Sequence, residues 1–402
     1  MSTSQPLRVL ILRCADDKDL APFEEALDRA FQGGHEAGGY LVAGGNLRVQ
    51  TEILRGVPPA PAPEMLDAFC HTLVIVLIDG ALNGGDVSLW DWIEACWAHV
   101  GVSGGRHAAV GLPFDERTGD AFTKKRPGMD ALQLKAAPAF GERAIRPAMF
   151  ALFALHQARL LLARGLSTNV STAEDTARLR LFISHAKMDA LPLAQALKHQ
   201  IDQVTWLGSF YDATDIPTGS DWKRELEQGV GSSLIVMLRT DVYDERTWCQ
   251  NEVRWSDEYA TPAVLVDART TLNFPAGTLP FERVPTVRIP DGNLLRVLFL
   301  ALRESVRFLF FKRRVEAMRV NGMLPDPVDL RVFCFAPSMA ALLRAAQGLA
   351  ASGRPDVPRF IIYPDPTLGT GAYEAANALV AAVAPGTRLV TPETLAATGA
   401  TV

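Results

Sequence analysis

The sequence lacks a hydrophobic run long enough to cross a membrane. Its longest apolar runs, Leu73 to Ile78 and Val297 to Leu302, are far shorter than the roughly 18 to 20 residues that span a bilayer. The segment Met1 to Arg8 also lacks the basic region, apolar region and small-residue cleavage site of a secretory signal. We therefore expect a cytoplasmic protein with no membrane contact.

Cysteine is scarce, and its positions fit neither a disulfide framework nor a zinc site. The five cysteines are odd in number, lie far apart and form no CxxC pair. This pattern is typical of a reducing compartment, and we expect no bound metal. The residues are Cys14, Cys70, Cys96, Cys249 and Cys334.

An excess of charge of either sign is also missing. Lys and Arg number 40 against 45 Asp and Glu, which gives a formal net charge of -5. No global field draws such a chain to nucleic acid or to an anionic membrane, so direct nucleic-acid binding is not indicated. With 402 residues, 48% of them hydrophobic, the chain is expected to form two or three globular cores.

Three stretches of the chain have the same pattern, a continuous apolar run followed by a helix-like segment. The runs begin at Leu7, Leu179 and Leu330. A buried parallel strand that leads into a crossover helix has this pattern. The chain is therefore predicted to be an α/β protein of three units, which comprise residues 1–165, 176–320 and 328–402.

Two segments of linker composition separate the predicted units. Residues 165–175 are small and polar, and residues 320–328 contain Gly322 and two prolines. Each segment follows a long helical stretch, so each is a natural place for one unit to end.

The first two units can be aligned with each other. Thr72 to Leu77 parallels Ser233 to Leu238, and a Trp and a Glu four positions apart follow in both units, Trp90 with Glu94 and Trp248 with Glu252. We interpret this as a repeated flavodoxin-like unit, with the third copy truncated. The alternative is that small α/β domains share these features without duplication.

Four pieces of the middle unit occur in the order found in one known domain family. They are LFISHAKMD at 181–189, FYDATDIPTGSDW at 210–222, SSLIVML at 232–238 and TWCQNE at 247–252. Together they make the stretch from Leu179 to about Pro290 resemble a TIR (Toll/interleukin-1 receptor) domain of the bacterial NADase type. The resemblance implies a flavodoxin-like fold with a central parallel sheet, flanked by a degenerate TIR-like α/β domain and a small C-terminal α/β unit.

The resemblance also implies a reaction. Enzymatic TIR domains cleave NAD+ between nicotinamide and ribose, and the family's catalytic glutamate maps onto Glu252. NAD+ is then the substrate, and no cofactor is expected. The residues expected to bind it are Phe182, Ser184, His185, Asp189, Asp212, Trp222 and Trp248, with the aromatic rings stacking on the bases.

Each role has an alternative. Glu252 would be a solvated carboxylate if the domain served only as a scaffold that recruits a partner, and a cyclase would make a cyclic ADP-ribose signal through the same ribosyl cation. Trp222 and Trp248 would then be core or contact aromatics. Cys249 is expected to be a packed thiol, since no histidine lies nearby in the sequence to activate it.

The flanking units are expected to regulate the middle one. In the family, assembly brings the BB loop of one domain against the active site of its neighbour, which predicts self-association through Thr214 to Trp222. Antiphage defence by NAD+ depletion is the expected setting, with a partner defence protein as a further expectation. The first unit lacks the Ser-His pair of the middle one, so sensing or assembly is its expected role.

Overall fold

The structure of the protein is a computed structural model. It describes residues 5–13, 20–32, 47, 49–80, 82, 87–129, 131–132, 134, 144–166, 179–204, 207–210, 222–270, 284–289, 292–333, 335–352, 354, 356–364 and 368–398. The chain divides into two compact units, broadly residues 1–178 and 179–402. Within the described ranges, no helix is both long and apolar enough to cross a bilayer.

The first unit is built on a parallel sheet of four strands in the order β2-β1-β3-β4. Every residue of β1 and β3 is buried, because helices cover both faces of a parallel sheet, and this accounts for their continuous apolar sequences. Phe23 and Phe150 bring two of those helices together, with ring centroids 5.1 Å apart. The strands are β1 (Arg8–Arg13), β2 (Gln50–Arg55), β3 (Thr72–Ile78) and β4 (His107–Pro113), and the helices α1 (Ala21–Gln32), α2 (Ala62–Asp67), α3 (Val87–Val102), α4 (Glu116–Lys125) and α5 (Arg146–Ala163).

The second unit contains a parallel sheet of five strands in the order β6-β5-β7-β8-β9. In this order the first strand lies between the second and third, which is the flavodoxin-like arrangement, and the predicted fold class is thereby confirmed. The first four positions of the order match those of the sheet in the first unit. The strands are β5 (Leu179–His185), β6 (Leu207–Phe210), β7 (Leu234–Arg239), β8 (Ala263–Asp267) and β9 (Thr286–Arg288), with helices α6 (Leu191–Asp202), α7 (Trp222–Ser232), α8 (Thr247–Glu258) and α9 (Leu295–Val320).

The C-terminal part forms a parallel sheet of three strands in the order β10-β11-β12. A truncated copy of the middle unit would place its first strand in the centre, but here the second strand is central. This part is therefore α/β with a different strand order from that expected of a partial TIR-like copy. Its elements are β10 (Asp329–Val332), α10 (Met339–Ala350), β11 (Arg359–Ile362), α11 (Thr370–Val383), β12 (Thr387–Val390) and α12 (Pro392–Thr398).

Helix α9 packs against strands of both sheets of the second unit. It contacts β7, β8 and β9, and its last turns place Phe311 and Val315 in one core cluster with Phe360 and Ile362 of β11. The predicted boundary at residues 320–328 falls directly after this helix. Residues 208–402 lie in one compact unit, and the predicted domain boundaries stay predictions.

Candidate active site

The candidate site lies at the carboxyl ends of β5 and β7. In a sheet of this order these are the two strands between which the order reverses, and ligands of open α/β sheets bind beside this switch point. Two segments follow β7 there, a 3-10 helix at Tyr243–Glu245 and then α8. The predicted catalytic residue is on α8.

Glu252 is held in place by a residue near the end of β5. Its side chain is buried, with 6% of the residue exposed, and its Oε2 lies 2.5 Å from the hydroxyl of Ser184. An ionised carboxylate only accepts hydrogen bonds, so the hydroxyl of Ser184 is the donor. A buried carboxylate needs such a partner, because the loss of water penalises its charge.

Tyr243 extends this contact by one more hydroxyl. Its phenol oxygen lies 2.5 Å from the Ser184 hydroxyl, and the residue is fully buried. Burial, and then the negative charges of neighbouring groups that include Glu252, raise the pKa of Tyr243 well above its ordinary value. Tyr243 is therefore a neutral phenol at physiological pH. No motif in the sequence marked this residue, since its partner lies 59 positions away in the chain.

Cys249 lies between the predicted stacking aromatic Trp248 and Glu252 on α8. It is buried and packs in the same core cluster as Phe182 and Val253. Burial, followed by the negative charge of Glu252, raises the pKa of the Cys249 thiol. A thiol in such a setting stays protonated and is a poor nucleophile, as expected for a packing residue.

The three predicted stacking aromatics are placed differently. Phe182 is 1% exposed and packs in the domain core, so its ring does not present a face to a ligand as expected; an apolar residue on a central strand is covered by helices on both sides. Trp248 is 39% exposed and lies one turn before Glu252 on α8, on the same side of the helix. Trp222 begins α7, and its side chain is outside the described part.

The loop after β5 is fixed by Asp189. This carboxylate accepts a hydrogen bond from the Thr240 hydroxyl at 2.7 Å and one from the backbone N–H of Val242 at 3.3 Å. Asp189 therefore ties the end of β5 to the segment after β7. His185, at the end of β5, is 8% exposed, and its Nδ1 donates to the backbone carbonyl of Ile183 at 3.3 Å.

Two predicted elements lie outside the described residues. They are Asp212, expected to bind substrate, and residues 214–221 of the segment expected to mediate assembly. Both expectations stay predictions.

Positive charge is present at the start of α8. Arg246 is the residue before the helix, and its guanidinium contacts the sulfur of the exposed Met188 at 3.3 Å. The amino terminus of a helix adds partial positive charge to this cation. Arg246 and the helix amino terminus thus place positive charge next to Trp248, close to the negative charge of Glu252.

The equivalent positions of the first unit do not form such a site. Glu94 on α3 is half-exposed and lies 2.7 Å from the guanidinium of Arg126. That guanidinium also covers the ring of the buried Trp90, 4.9 Å from its centroid. Leu12 pairs with Val76 in the first sheet as Ser184 pairs with Met237 in the second. An apolar side chain therefore takes the place of Ser184, and Leu12 has no hydroxyl to bind the carboxylate.

One cluster in the described part of the chain has the residue types of a metal site, namely Asp67, His99 and His107. The backbone N–H of Thr72 donates to Nδ1 of His107 at 3.1 Å, so the proton of this neutral ring is on Nε2, which faces Asp67 Oδ1 at 3.1 Å. Burial lowers the pKa of His107 and so favours this neutral form. A metal needs a lone pair at the atom that carries the proton, so the cluster is not arranged for one.

Comparison with known proteins identifies the middle domain. Residues 181–270 match the TIR domain family model, and the second unit thus contains a TIR domain. No curated protein matches the chain. Among solved structures, the tagatose-6-phosphate ketose/aldose isomerase of Escherichia coli is 11% identical to this chain, with a TM-score of 0.19, and the match covers 79% of this chain and 84% of the isomerase. A hypothetical protein of Thermus thermophilus is 13% identical, with a TM-score of 0.21, and the match covers 76% of this chain and 78% of that protein. At these scores neither similarity bears on fold or function.

Proposed function

We propose that the TIR domain of residues 181–270 cleaves NAD+ at the bond between nicotinamide and ribose, with Glu252 as the catalytic residue. One observation carries the proposal: a buried carboxylate at the switch point of the sheet is held by the Ser184 hydroxyl and lies one turn from the half-exposed Trp248. A carboxylate that served only to solvate a surface helix would not need this burial or this partner.

The chemistry of the bond requires one carboxylate. Nicotinamide leaves as a neutral molecule from a cationic ring, so the departing group needs no strong general acid. The barrier lies in the positive charge that develops on the ribose, as in glycoside hydrolysis. An anion placed beforehand in a water-poor site stabilises that charge, and electrostatic effects of this kind are the largest in many enzymes.

The surroundings of Glu252 supply the remaining contacts in this proposal. The exposed ring of Trp248 stacks on nicotinamide or adenine. Arg246 and the amino terminus of α8 attract the diphosphate. Asp189 acts through the loop after β5, since its hydrogen bonds to Thr240 and Val242 hold that loop in place.

Hydrolysis and cyclisation share the same ribosyl cation and differ in what captures it. Water gives ADP-ribose, whereas attack by another atom of the same molecule gives a cyclic isomer. We propose hydrolysis as the reaction, in the setting of antiphage defence, and product identification separates it from cyclisation.

Mass spectrometry of NAD+ and its products in cells that express the protein tests the proposal. Wild type should deplete NAD+ and accumulate nicotinamide, and Glu252→Gln should leave NAD+ at the level of cells without the protein. Glu94→Gln is the matched control, because it makes the same change on the equivalent helix of the first unit. Depletion by Glu252→Gln equal to that of wild type would overturn the assignment. If even wild type leaves NAD+ unchanged when assembled, the domain is a scaffold.

Assembly is proposed as the activating step. The segment Thr214 to Trp222 would then contact a second copy, and the specific activity should rise with protein concentration. Gly219→Arg should keep the specific activity low at every protein concentration. A specific activity that depends neither on protein concentration nor on this substitution would contradict activation by assembly.

A further inference from the structure

We propose that Tyr243 is a positioning residue for Glu252 and acts on it through the hydroxyl of Ser184. The inference rests on the proposed function, since it assigns a role in that reaction. Tyr243 itself contacts the Ser184 hydroxyl, and Glu252 is the group placed to touch the ribose. A chain of two hydroxyls thus ends on the catalytic carboxylate.

The direction of the two hydrogen bonds follows from a count of protons. The Ser184 hydroxyl has one proton, and the carboxylate of Glu252 has none to give. Ser184 therefore donates its proton to Glu252 Oε2. The contact between Ser184 and Tyr243 then has only one donor left, the phenol, so Tyr243 donates to Ser184.

The state of the phenol agrees with this direction. Burial and nearby negative charge raise the pKa of Tyr243, so its proton remains in place throughout the physiological range. Two hydroxyls that point the same way polarise each other, and the second donates more strongly than it would alone. The Tyr243 hydroxyl thus fixes the orientation of the Ser184 hydroxyl, which donates to Glu252.

The phenol ring packs in the domain core, and the backbone that carries it is held independently of the hydroxyl. Its backbone lies in the 3-10 helix, where the N–H of Tyr243 donates to Thr240 at 3.2 Å and its carbonyl accepts from the N–H of Arg246 at 3.1 Å. Asp244 reinforces this turn, since its side chain pairs with Arg239 at 3.0 Å and its carbonyl accepts from Gln250 at 2.7 Å. Removal of the hydroxyl alone should therefore leave the ring in place.

The charged and titratable groups around the hydroxyls of Tyr243 and Ser184 come from three segments. The loop after β5 contributes Asp189, the segment after β7 contributes Asp244 and Arg246, and α8 contributes Cys249. Tyr243→Phe alters none of them. Its effect can therefore be attributed to the lost hydroxyl.

Steady-state kinetics of nicotinamide release by the full chain test the role. Tyr243→Phe should lower kcat about tenfold, which corresponds to the loss of one buried hydrogen bond, and should change KM less than about twofold. Ser184→Ala should have a larger effect in the same direction.

Two comparisons separate positioning from a merely structural role. The double variant Tyr243→Phe with Ser184→Ala should be no slower than Ser184→Ala alone, since Tyr243 acts through Ser184. Tyr259→Phe is the matched control: it removes an exposed hydroxyl of the same domain, which bonds Glu227 at 2.6 Å, and it should behave as wild type.

The outcomes distinguish this inference from the proposed function. If wild type is active and Tyr243→Phe matches Tyr259→Phe, or if the effects of Tyr243→Phe and Ser184→Ala multiply, the positioning role is wrong and the proposed function stands. If assembled wild type releases no nicotinamide, the proposed function is wrong and the role is overturned with it.

Discussion

Arg126 and Glu94 form an ion pair in the first unit, with Nε of the arginine 2.7 Å from Oε1 of the glutamate. Glu94 lies four positions after Trp90, the same spacing that separates Trp248 from Glu252. Both helices join the third and fourth strands of sheets with the same initial order. One carboxylate is nevertheless a half-exposed partner of an arginine, and the other is buried against a serine hydroxyl. The units also differ at the end of the first strand, where Leu12 stands in one unit and Ser184 in the other.

The ion pair of Glu94 should contribute little to stability. Both side chains are partly exposed, with 33% of Arg126 and 50% of Glu94 accessible, and pairs of this kind typically contribute less than about 1 kcal/mol. Glu94→Gln should therefore change the free energy of unfolding, measured with urea, by less than that amount. A larger loss would show that the Arg126 contact to Glu94 organises the unit.

Trp248 should affect the binding of NAD+ more than the chemical step. Trp248→Ala removes an exposed stacking surface, so KM should rise about tenfold while kcat changes little, since base stacking contributes roughly 1 to 3 kcal/mol. Trp248→Phe keeps an aromatic face, so its KM should lie between those of wild type and Trp248→Ala. Steady-state kinetics check this, and a fall in kcat at unchanged KM would contradict the stacking role.

Ser338 should stabilise the C-terminal part of the second unit. It caps α10 by accepting from the N–H of Ala341 at 3.1 Å, and its hydroxyl also donates to Asp257 near the end of α8. Ser338→Ala should cost about 1 kcal/mol of unfolding free energy, and Ser338→Gly less, because glycine is a better N-cap than alanine. Urea unfolding measures both; the reverse order would show that the cap does not determine the effect.

Mild acid should destabilise the first unit through His156 on α5. Burial, and secondarily the charge of Arg159, lowers the pKa of His156 to about 3, whereas an unfolded histidine titrates near pH 6.5. Between about pH 3 and pH 6.5, His156 is therefore protonated in the unfolded chain and neutral in the folded unit. This contribution to stability is complete above about pH 6.5 and declines as pH falls towards 3.

The size of this effect at pH 5 should be about 2 kcal/mol. Hydrogen exchange of peptides from α5, compared at pH 7 and pH 5 after correction for intrinsic rates, measures it in the full chain. His156→Gln should reduce the pH dependence by that amount, and the remaining slope should include His107, whose pKa burial also lowers. An unchanged slope in the variant would exclude His156 as the source.

The central strands of both large sheets, β1, β3, β5 and β7, could be predicted from the sequence, and the family of the middle domain followed from the resemblance of its motifs. The runs that begin at Leu7 and Leu179 are buried on both faces, so their composition is apolar throughout and easily detected. The resemblance implied that Trp248 and Glu252 lie one turn apart on a helix, and both residues are on α8. Local sequence pattern was sufficient for the strands, whereas the family was predicted from the motif resemblance.

Features that depend on distant contacts could not be predicted. Tyr243 meets Ser184 only because β7 lies beside β5 in the folded sheet. The burial of Phe182 reflects helices packed from other parts of the chain, and the order of the C-terminal strands is a property of their crossovers. The long helix α9 looked like the end of one unit, but its last turns complete the core of the next.

In the proposed reaction Glu252 stabilises the positive charge on the ribose as NAD+ is cleaved. The most direct test is nicotinamide release by purified full-length protein, across a series of protein concentrations, for wild type, Glu252→Gln and Glu94→Gln. Wild type and Glu94→Gln should release nicotinamide at the same rate. The rate for Glu252→Gln should be lower by at least about a thousandfold, because the variant lacks the principal electrostatic catalyst. Release by Glu252→Gln at the rate of wild type would contradict a catalytic role of Glu252.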